Sequence, residues 1–351
     1  MKTFRPFLLI ILLACTFFPS YAINNSESYI TVSLDGTGNF SSIQEAINSI
    51  KNNQEKRTVI FIKNGLYDTE KILIPEDKTN ITFRGESRDK TIISYHIYDC
   101  KGGFNNKCPA EDAAKWTGQA IRTSASITIQ GDGFQAENIT FQNTAGAVGQ
   151  ALAIFITSDK NVFYNCAFLS YQDTMLLGKD QTRSYFKNCL ILGRTDYIYG
   201  SGIGFFDSCE IRSYGGGWIT APSTPKKQNY GFVFYKCKLT FANNSPRPKD
   251  DNQLISLGRP WHNYPKVAWI KCEMGEKINP VGWPTLWHME YAPTSKDLHL
   301  YEYKNTGVSS DISQRATWAG LRELMPDEAK LYSIKNVLKG NDNWIAKLQK
   351  R

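Results

Sequence analysis

Three polar residues in the middle of the chain recur at one interval: Gln150, Asp173 and Asp196 stand 23 residues apart. Strand-forming runs flank them, from Ala151 to Thr157, Asn161 to Leu169 and Thr182 to Leu192. A repeat of just over 20 residues that holds short β runs marks a coil returning to the same edge once per turn, as in a parallel β-solenoid. Neighbouring strands lie about 4.8 Å apart, so equivalent positions on successive turns bring Asp173 and Asp196 within reach of each other. Two carboxylates that close do not both ionise comfortably at neutral pH; one keeps its proton and the other does not. The pair therefore supplies one proton donor and one ionised nucleophile or base. Gln150 and Gln172, the latter directly before Asp173, could aim amide N–H groups at a developing oxyanion. A single Asp in a polar stretch is ordinarily a turn residue; the equal interval singles these out. Arg259 lies 63 residues beyond Asp196, two to three turns of such a coil, from where it could hold that carboxylate ionised. Trp261 and Trp283 offer flat apolar faces of the kind that cover a sugar ring, with core packing as the alternative.

The elements that would position these residues follow in chain order. Tyr29 to Val32 starts the ordered part, and Asp35 to Phe40 is turn-rich. Ser41 or Ser42 then caps an amphipathic helix with Ile43, Ala46, Ile47 and Ile50 on one face, placed to cover the open end of the coil. Strands are expected at Val59 to Ile62, Ile72 to Ile74, Ile81 to Phe83, Thr91 to Ile93, Ser126 to Gln130 and Ile139 to Gln142, with a turn at Gly65 to Tyr67. Residues 97 to 118 break the rhythm as a projecting loop. Later strands are expected at Phe205 to Ile211, Tyr230 to Leu239, Leu254 to Leu257 and Val267 to Cys272, with loops at Tyr214 to Lys227 and Phe241 to Asn252. From Gln314 onward the pattern turns helical: Pro326 opens a segment with Leu331, Ile334 and Leu338 on one face, and Gly340 closes it. Those helices are expected to pack outside the coil. No linker-like stretch appears, so residues 23–351 are read as one domain.

Residues 1–22 read as a secretory signal, with Lys2 and Arg5, an apolar core from Phe7 to Phe18 and a small-residue cleavage site at Ser20-Tyr21-Ala22. Twelve apolar residues are too few to span a bilayer, and no later run suits a membrane helix. An exported chain is expected, and sequons at Asn24, Asn39, Asn80, Asn138 and Asn243 are compatible with glycosylation on that route. The formal charge is +8, which favours dwelling on a polyanion. No nucleic-acid motif is present, so an acidic wall polysaccharide is preferred over nucleic acid. Of eight cysteines, five share an aromatic-x-x-Cys context: Phe163 with Cys166, Phe186 with Cys189, Phe206 with Cys209, Phe234 with Cys237 and Trp269 with Cys272. Cysteine recurring with the turn of a coil points to an inward stack rather than a metal site. Cys100 and Cys108 could close a small loop of their own.

Tyr171-Gln172-Asp173-Thr174, Asp196-Tyr197-Ile198-Tyr199-Gly200 and Leu257-Gly258-Arg259-Pro260-Trp261 together resemble the signature segments of plant pectin methylesterases (pectinesterases), from about Tyr29 to the C-terminus. The resemblance implies an all-β fold, a single-stranded right-handed parallel β-helix. It implies release of methanol from methyl-esterified homogalacturonan without metal or organic cofactor. Carried over by position, Asp196 is the nucleophile and Asp173 the proton donor and later base. Gln150 and Gln172 become the oxyanion donors and Arg259 the partner of Asp196, with Trp261, Trp283, Tyr171 and Tyr197 as substrate contacts. The resemblance also favours a disulfide between Cys189 and Cys209. It implies an extracellular, cell-wall location, action as a monomer and a proteinaceous pectinesterase inhibitor as a further partner. With only a few residues between Ala22 and Tyr29, the form without the inhibitor-like pro-region of many plant members is expected.

Three departures accompany the match. The family's Gly-x-Tyr-x-Glu is one residue longer here, Gly65 to Glu70; Ile121 replaces a usual Thr; and Pro222 stands where a Gln is common. They motivate an alternative, a catalytically weak or inactive pectin-binding wall protein on the same scaffold. Among enzymes, paired Asp residues also suit a glycanase, which would leave the glutamines without a role. A lyase would need an acidic calcium site, and a serine hydrolase is disfavoured because no Gly-x-Ser-x-Gly occurs.

Overall fold

The computed structural model describes residues 28–99, 124–284 and 289–344. The leader segment, Asn24, Cys100, Cys108 and Ile121 lie outside the described residues. Every strand pairing is parallel, in an 11-stranded sheet and a 13-stranded one. One turn of the coil shows how the sequence builds this right-handed β-helix. Asn161–Tyr164 lies on the first face, Ala167–Leu169 on the second and Met175–Leu177 on the third, and Arg183–Lys187 returns to the first. The first face is the 11-stranded sheet. The second and third merge into the other because Leu190–Gly200 and Glu210–Pro222 run around the corner without a break. The expected loop at Tyr214 to Lys227 is thus largely strand, since pairing with Leu190–Gly200 continues past glycines that disfavour strands in isolation. The expected turn at Gly65 to Tyr67 is likewise a short strand, paired with Thr91–Tyr95.

The aromatic-x-x-Cys repeat becomes an interior column. Phe163, Phe186, Phe206, Phe234 and Trp269 stack face to face at 4.9, 4.7, 4.7 and 3.8 Å between ring centroids. Beside them Cys166, Cys189, Cys209, Cys237 and Cys272 are buried. All five are free thiols, which corrects the Cys189–Cys209 disulfide. The Cys189 thiol instead donates to the Phe163 carbonyl and that of Cys209 to the Phe186 carbonyl. Between the aromatic and the Cys of each repeat the chain turns through one left-handed residue, at Asn165, Asn188, Ser208, Lys236 and Lys271, and Asn138 and Lys304 hold the same place on the rungs before and after. Asn favours this conformation because its short amide bonds locally, and Asn165 donates to the Asn138 amide oxygen at 2.7 Å.

The helix Ile43–Ser49 is capped by Ser42, whose hydroxyl accepts from the Glu45 N–H, and buries Ile43, Ala46 and Ile47. The longer Gly65 to Glu70 segment serves this cap: the Glu70 carboxylate accepts from the Ser42 hydroxyl and the Ile43 and Gln44 N–H groups. The C-terminal segment is two short helices, Pro326–Lys330 and Ile334–Leu338, instead of one. Leu331, expected on the buried face, falls in the break and is 56% exposed, while Val337 and Leu338 pack against the first face. Between Gln314 and Pro326 the expected helix is replaced by the strand Leu321–Glu323, which extends that face. No described helix is long and apolar enough to cross a membrane. Of the sequons, Asn39 and Asn243 are exposed. Asn138 is held in the amide ladder, and the Asn80 amide nitrogen is spent on the Gln54 carbonyl.

Candidate active site

The corner between the second and third faces carries the two carboxylates. Gln172 bridges to Thr195 and Met175 pairs with Ile198, so Asp173 and Asp196 occupy equivalent places one rung apart. Both adopt left-handed backbone, φ +62° and +50°, the same corner device used elsewhere in the coil, which turns each side chain out of the strand. Ile198 pairs in turn with Thr220, and Thr220 with Gly258. That register sets Arg259 two rungs above Asp196, at the near end of the expected range. Its Nε donates to Asp196 Oδ1 at 2.9 Å, and a second guanidinium nitrogen donates to Oδ2. The guanidinium also lies over the Trp218 ring, 4.4 Å from its centroid, a cation–π contact that helps fix it. Gly258, just before Arg259, packs without a side chain against the rung below and the core, because a Cβ there would run into Thr220 Oγ1 and would meet Trp283 at 2.6 Å.

Gln150, Gln172, Asp173, Asp196, Tyr199, Ala221, Arg259, Pro260, Trp261 and Met289 line a cleft of about 330 Å³. Asp173 and Asp196 are only 5% and 8% exposed. Burial pushes the Asp173 carboxyl well up, the charge of Asp196 pushes it further, and the Tyr199 hydroxyl, Arg259 and the Gln172 amide act in the other direction. Burial raises Asp196 as well, but the bonds from Arg259 oppose the rise directly. The proton therefore rests on Asp173, and the carboxylate gripped by arginine is the ionised one. The Gln150 amide oxygen is buried with no hydrogen-bond partner among the described residues, an unspent group of the kind a bound molecule satisfies.

Not every expected contact reaches the cleft. Trp261 does, 51% exposed beside Tyr199 at 5.9 Å between centroids. Trp283 does not: at 1% exposure it is packed in the core beneath Gly258. Tyr197 is also interior, its hydroxyl sharing a hydrogen bond with Ser213 at 2.7 Å. Tyr171 turns away to donate to Asp250 Oδ2 at 2.5 Å. A register shift between Gly193 and Ile198 explains the exchange of tyrosines. Two-residue alternation would put Tyr199 inside with Tyr197, whereas the irregularity turns Tyr199 out to the cleft.

Asp250 was also missed, with no signal beyond one Asp in a polar loop. It is wholly buried and receives Tyr171, the Ser245 hydroxyl at 2.9 Å and an ion pair from Arg194 at 3.2 Å. Tyr171 and Arg194 each stand two residues before a cleft carboxylate, so one buried anion ties down both turns. Pro222 lies outside the cleft, and its carbonyl accepts the Trp261 N–H at 3.1 Å.

The Pectinesterase family model matches residues 29–341. Pectinesterase 31 of Arabidopsis thaliana is 34% identical, the match covering 86% of this chain and 89% of that protein. The pectinesterase of Daucus carota is also 34% identical, over 84% of this chain and 87% of that one. The solved pectin methylesterase from carrot superposes with a TM-score of 0.79 at 31% identity, over 91% of this chain and 95% of that one. The chain spans about half the length of several other curated relatives it matches, among them a pectinesterase/pectinesterase inhibitor of Solanum lycopersicum, of which it covers 52%. A match over nearly all the described residues, together with a coil that stacks two unequal carboxylates, makes this chain a member of the pectinesterase family.

Proposed function

We propose that the protein removes methyl groups from methyl-esterified homogalacturonan, giving pectate and methanol, in the extracellular plant cell wall. The observation that carries this reading is the inequality of the two carboxyls: Asp173 is raised by burial and by its neighbour, while Asp196 is gripped by Arg259. The Asp196 carboxylate attacks the ester carbonyl, forming a C–O bond and a tetrahedral oxyanion that the amide N–H groups of Gln150 and Gln172 receive. Collapse breaks the bond to the methoxy oxygen, which takes the Asp173 proton and departs as methanol. Asp173, now ionised, removes a proton from water as the water oxygen attacks the acyl carbon. The acyl–Asp196 bond breaks, and both carboxyls return to their starting states.

Trp261 supplies an exposed face against which a uronate ring can lie. Export through the N-terminal leader, action as a monomer and control by a proteinaceous inhibitor at the cleft belong to the same reading. Methanol release from esterified homogalacturonan by the purified protein, set against Asp196→Asn, tests it. Loss of release in the variant is expected. New reducing ends or unsaturated uronides in place of methanol would overturn the reading.

A further inference from the structure

A second groove of about 420 Å³ lies away from the cleft, between the first face and the two C-terminal helices. Its lining includes Tyr235, Tyr303, Tyr332, Lys271 and Lys330. Lys271 belongs to the corner between the first and second faces, where the left-handed residue of each turn is Asn138, Asn165 and Asn188, then Ser208, and then Lys236, Lys271 and Lys304, φ +55°, +53° and +47°. Lys236 and Lys304 directly follow Tyr235 and Tyr303 of the lining. The Lys236 N–H bonds the Ile270 carbonyl, and the Lys271 N–H that of Tyr303, so the three lysines stand on consecutive rungs. Lysine has no side-chain bond with which to favour a left-handed backbone. Three in succession, where the lower rungs carry Asn, are a cost that the fold does not require.

These lysines are exposed and form no ion pair among the described residues, whereas nearby charges are matched. Lys187 pairs with Asp207 at 3.1 Å, Lys238 with Glu273 at 3.4 Å and Lys330 with Asp327 at 2.7 Å. Lys236 and Lys304 hold their ammonium groups over the rings of the tyrosines that precede them, 5.4 and 5.5 Å from the centroids. The result is a row of cations at the strand repeat of about 4.8 Å, flanked by aromatic faces. Cations suit carboxylates and aromatic faces suit sugar rings.

We infer that this groove is an accessory site for a carboxylate-bearing polyuronate chain, the de-esterified form of the polymer, bound away from the cleft through Lys236, Lys271 and Lys304. The inference rests on the proposed substrate but not on turnover. Asn already occupies the same conformation on the lower rungs, so Lys236→Asn/Lys271→Asn/Lys304→Asn leaves the coil intact, which an unchanged melting temperature confirms. Binding of each protein to immobilised polygalacturonate is measured over a salt series, alongside methanol release from a short methyl-esterified oligouronide.

The expected result is affinity at least tenfold weaker in the variant, with a shallower salt dependence and unchanged release from the short substrate. Unchanged affinity would overturn the inference, as would equally tight binding of fully esterified polymer or of dextran sulfate by the parent protein. Absence of methanol from both proteins would count against the esterase reading while the binding comparison still decides the fate of the lysine row.

Discussion

The two corners that flank the second face use one backbone device for opposite ends. At the first, left-handed Asn138 and Asn165 sit one rung apart, and the amide of one donates to the other. At the second, left-handed Asp173 and Asp196 sit one rung apart, and ionised carboxylates have nothing to donate to each other. The neutral corner satisfies itself and stabilises the coil. The charged corner is tolerable only with one acid protonated and an arginine reaching in from two rungs above to hold the other. A solenoid stacks like on like; stacking amides gives a ladder, and stacking acids gives a site.

Five substitutions probe this contrast, from the largest expected effect to the smallest. Asp196→Asn removes the nucleophile, and methanol release should fall about 10⁴-fold or more while circular dichroism and melting remain native. Asp250→Ala strips the anchor of both cleft turns, leaving the half-buried Arg194 without its counter-charge and the Tyr171 hydroxyl without its acceptor. A loss of roughly 3–5 kcal/mol is expected, read as a lowered urea midpoint. Arg259→Ala should lower kcat about 10²–10³-fold. Without its cation Asp196 titrates higher, so the acid limb of the pH–rate profile should move to higher pH; an unmoved limb would show that Arg259 does not govern that carboxyl.

At the neutral corner, Asn165→Leu should cost roughly 1–2 kcal/mol through the left-handed backbone, lowering the urea midpoint without changing turnover per folded molecule. Finally, Asp173 is raised on folding, so the native state keeps a proton that the unfolded chain releases. Its contribution is therefore fully present below the ordinary carboxylate range and is lost as pH rises toward the folded value. Asp173→Asn should flatten that slope, raising the melting temperature more at neutral pH than near pH 4.

The parts of this design legible in the sequence are those that repeat. The 23-residue interval set Asp173 and Asp196 one rung apart, whereas Gln150 reaches the same cleft from a rung offset by 21, Ile154 pairing with Met175. The aromatic-x-x-Cys spacing gave the interior column from Phe163 to Trp269. What escaped was whatever breaks the period. The shifted register after Gly193 exchanged the roles of Tyr197 and Tyr199. The strand through the Tyr214 to Pro222 region was masked by its glycines. Trp283 shares its residue type with Trp261 but not its surroundings, because packing against Gly258 is a long-range fact that no local pattern encodes. Asp250 was invisible for the same reason: its partners Tyr171 and Arg194 lie 79 and 56 residues away in the chain.

The five thiols of the interior column carry a practical corollary. None is tied to another, so these turns are held by stacked rings and main-chain ladders whose strength is indifferent to reductant. Dithiothreitol should leave the column's melting behaviour untouched, and a host whose cytosol keeps sulfur reduced should assemble it as well as an oxidising one would.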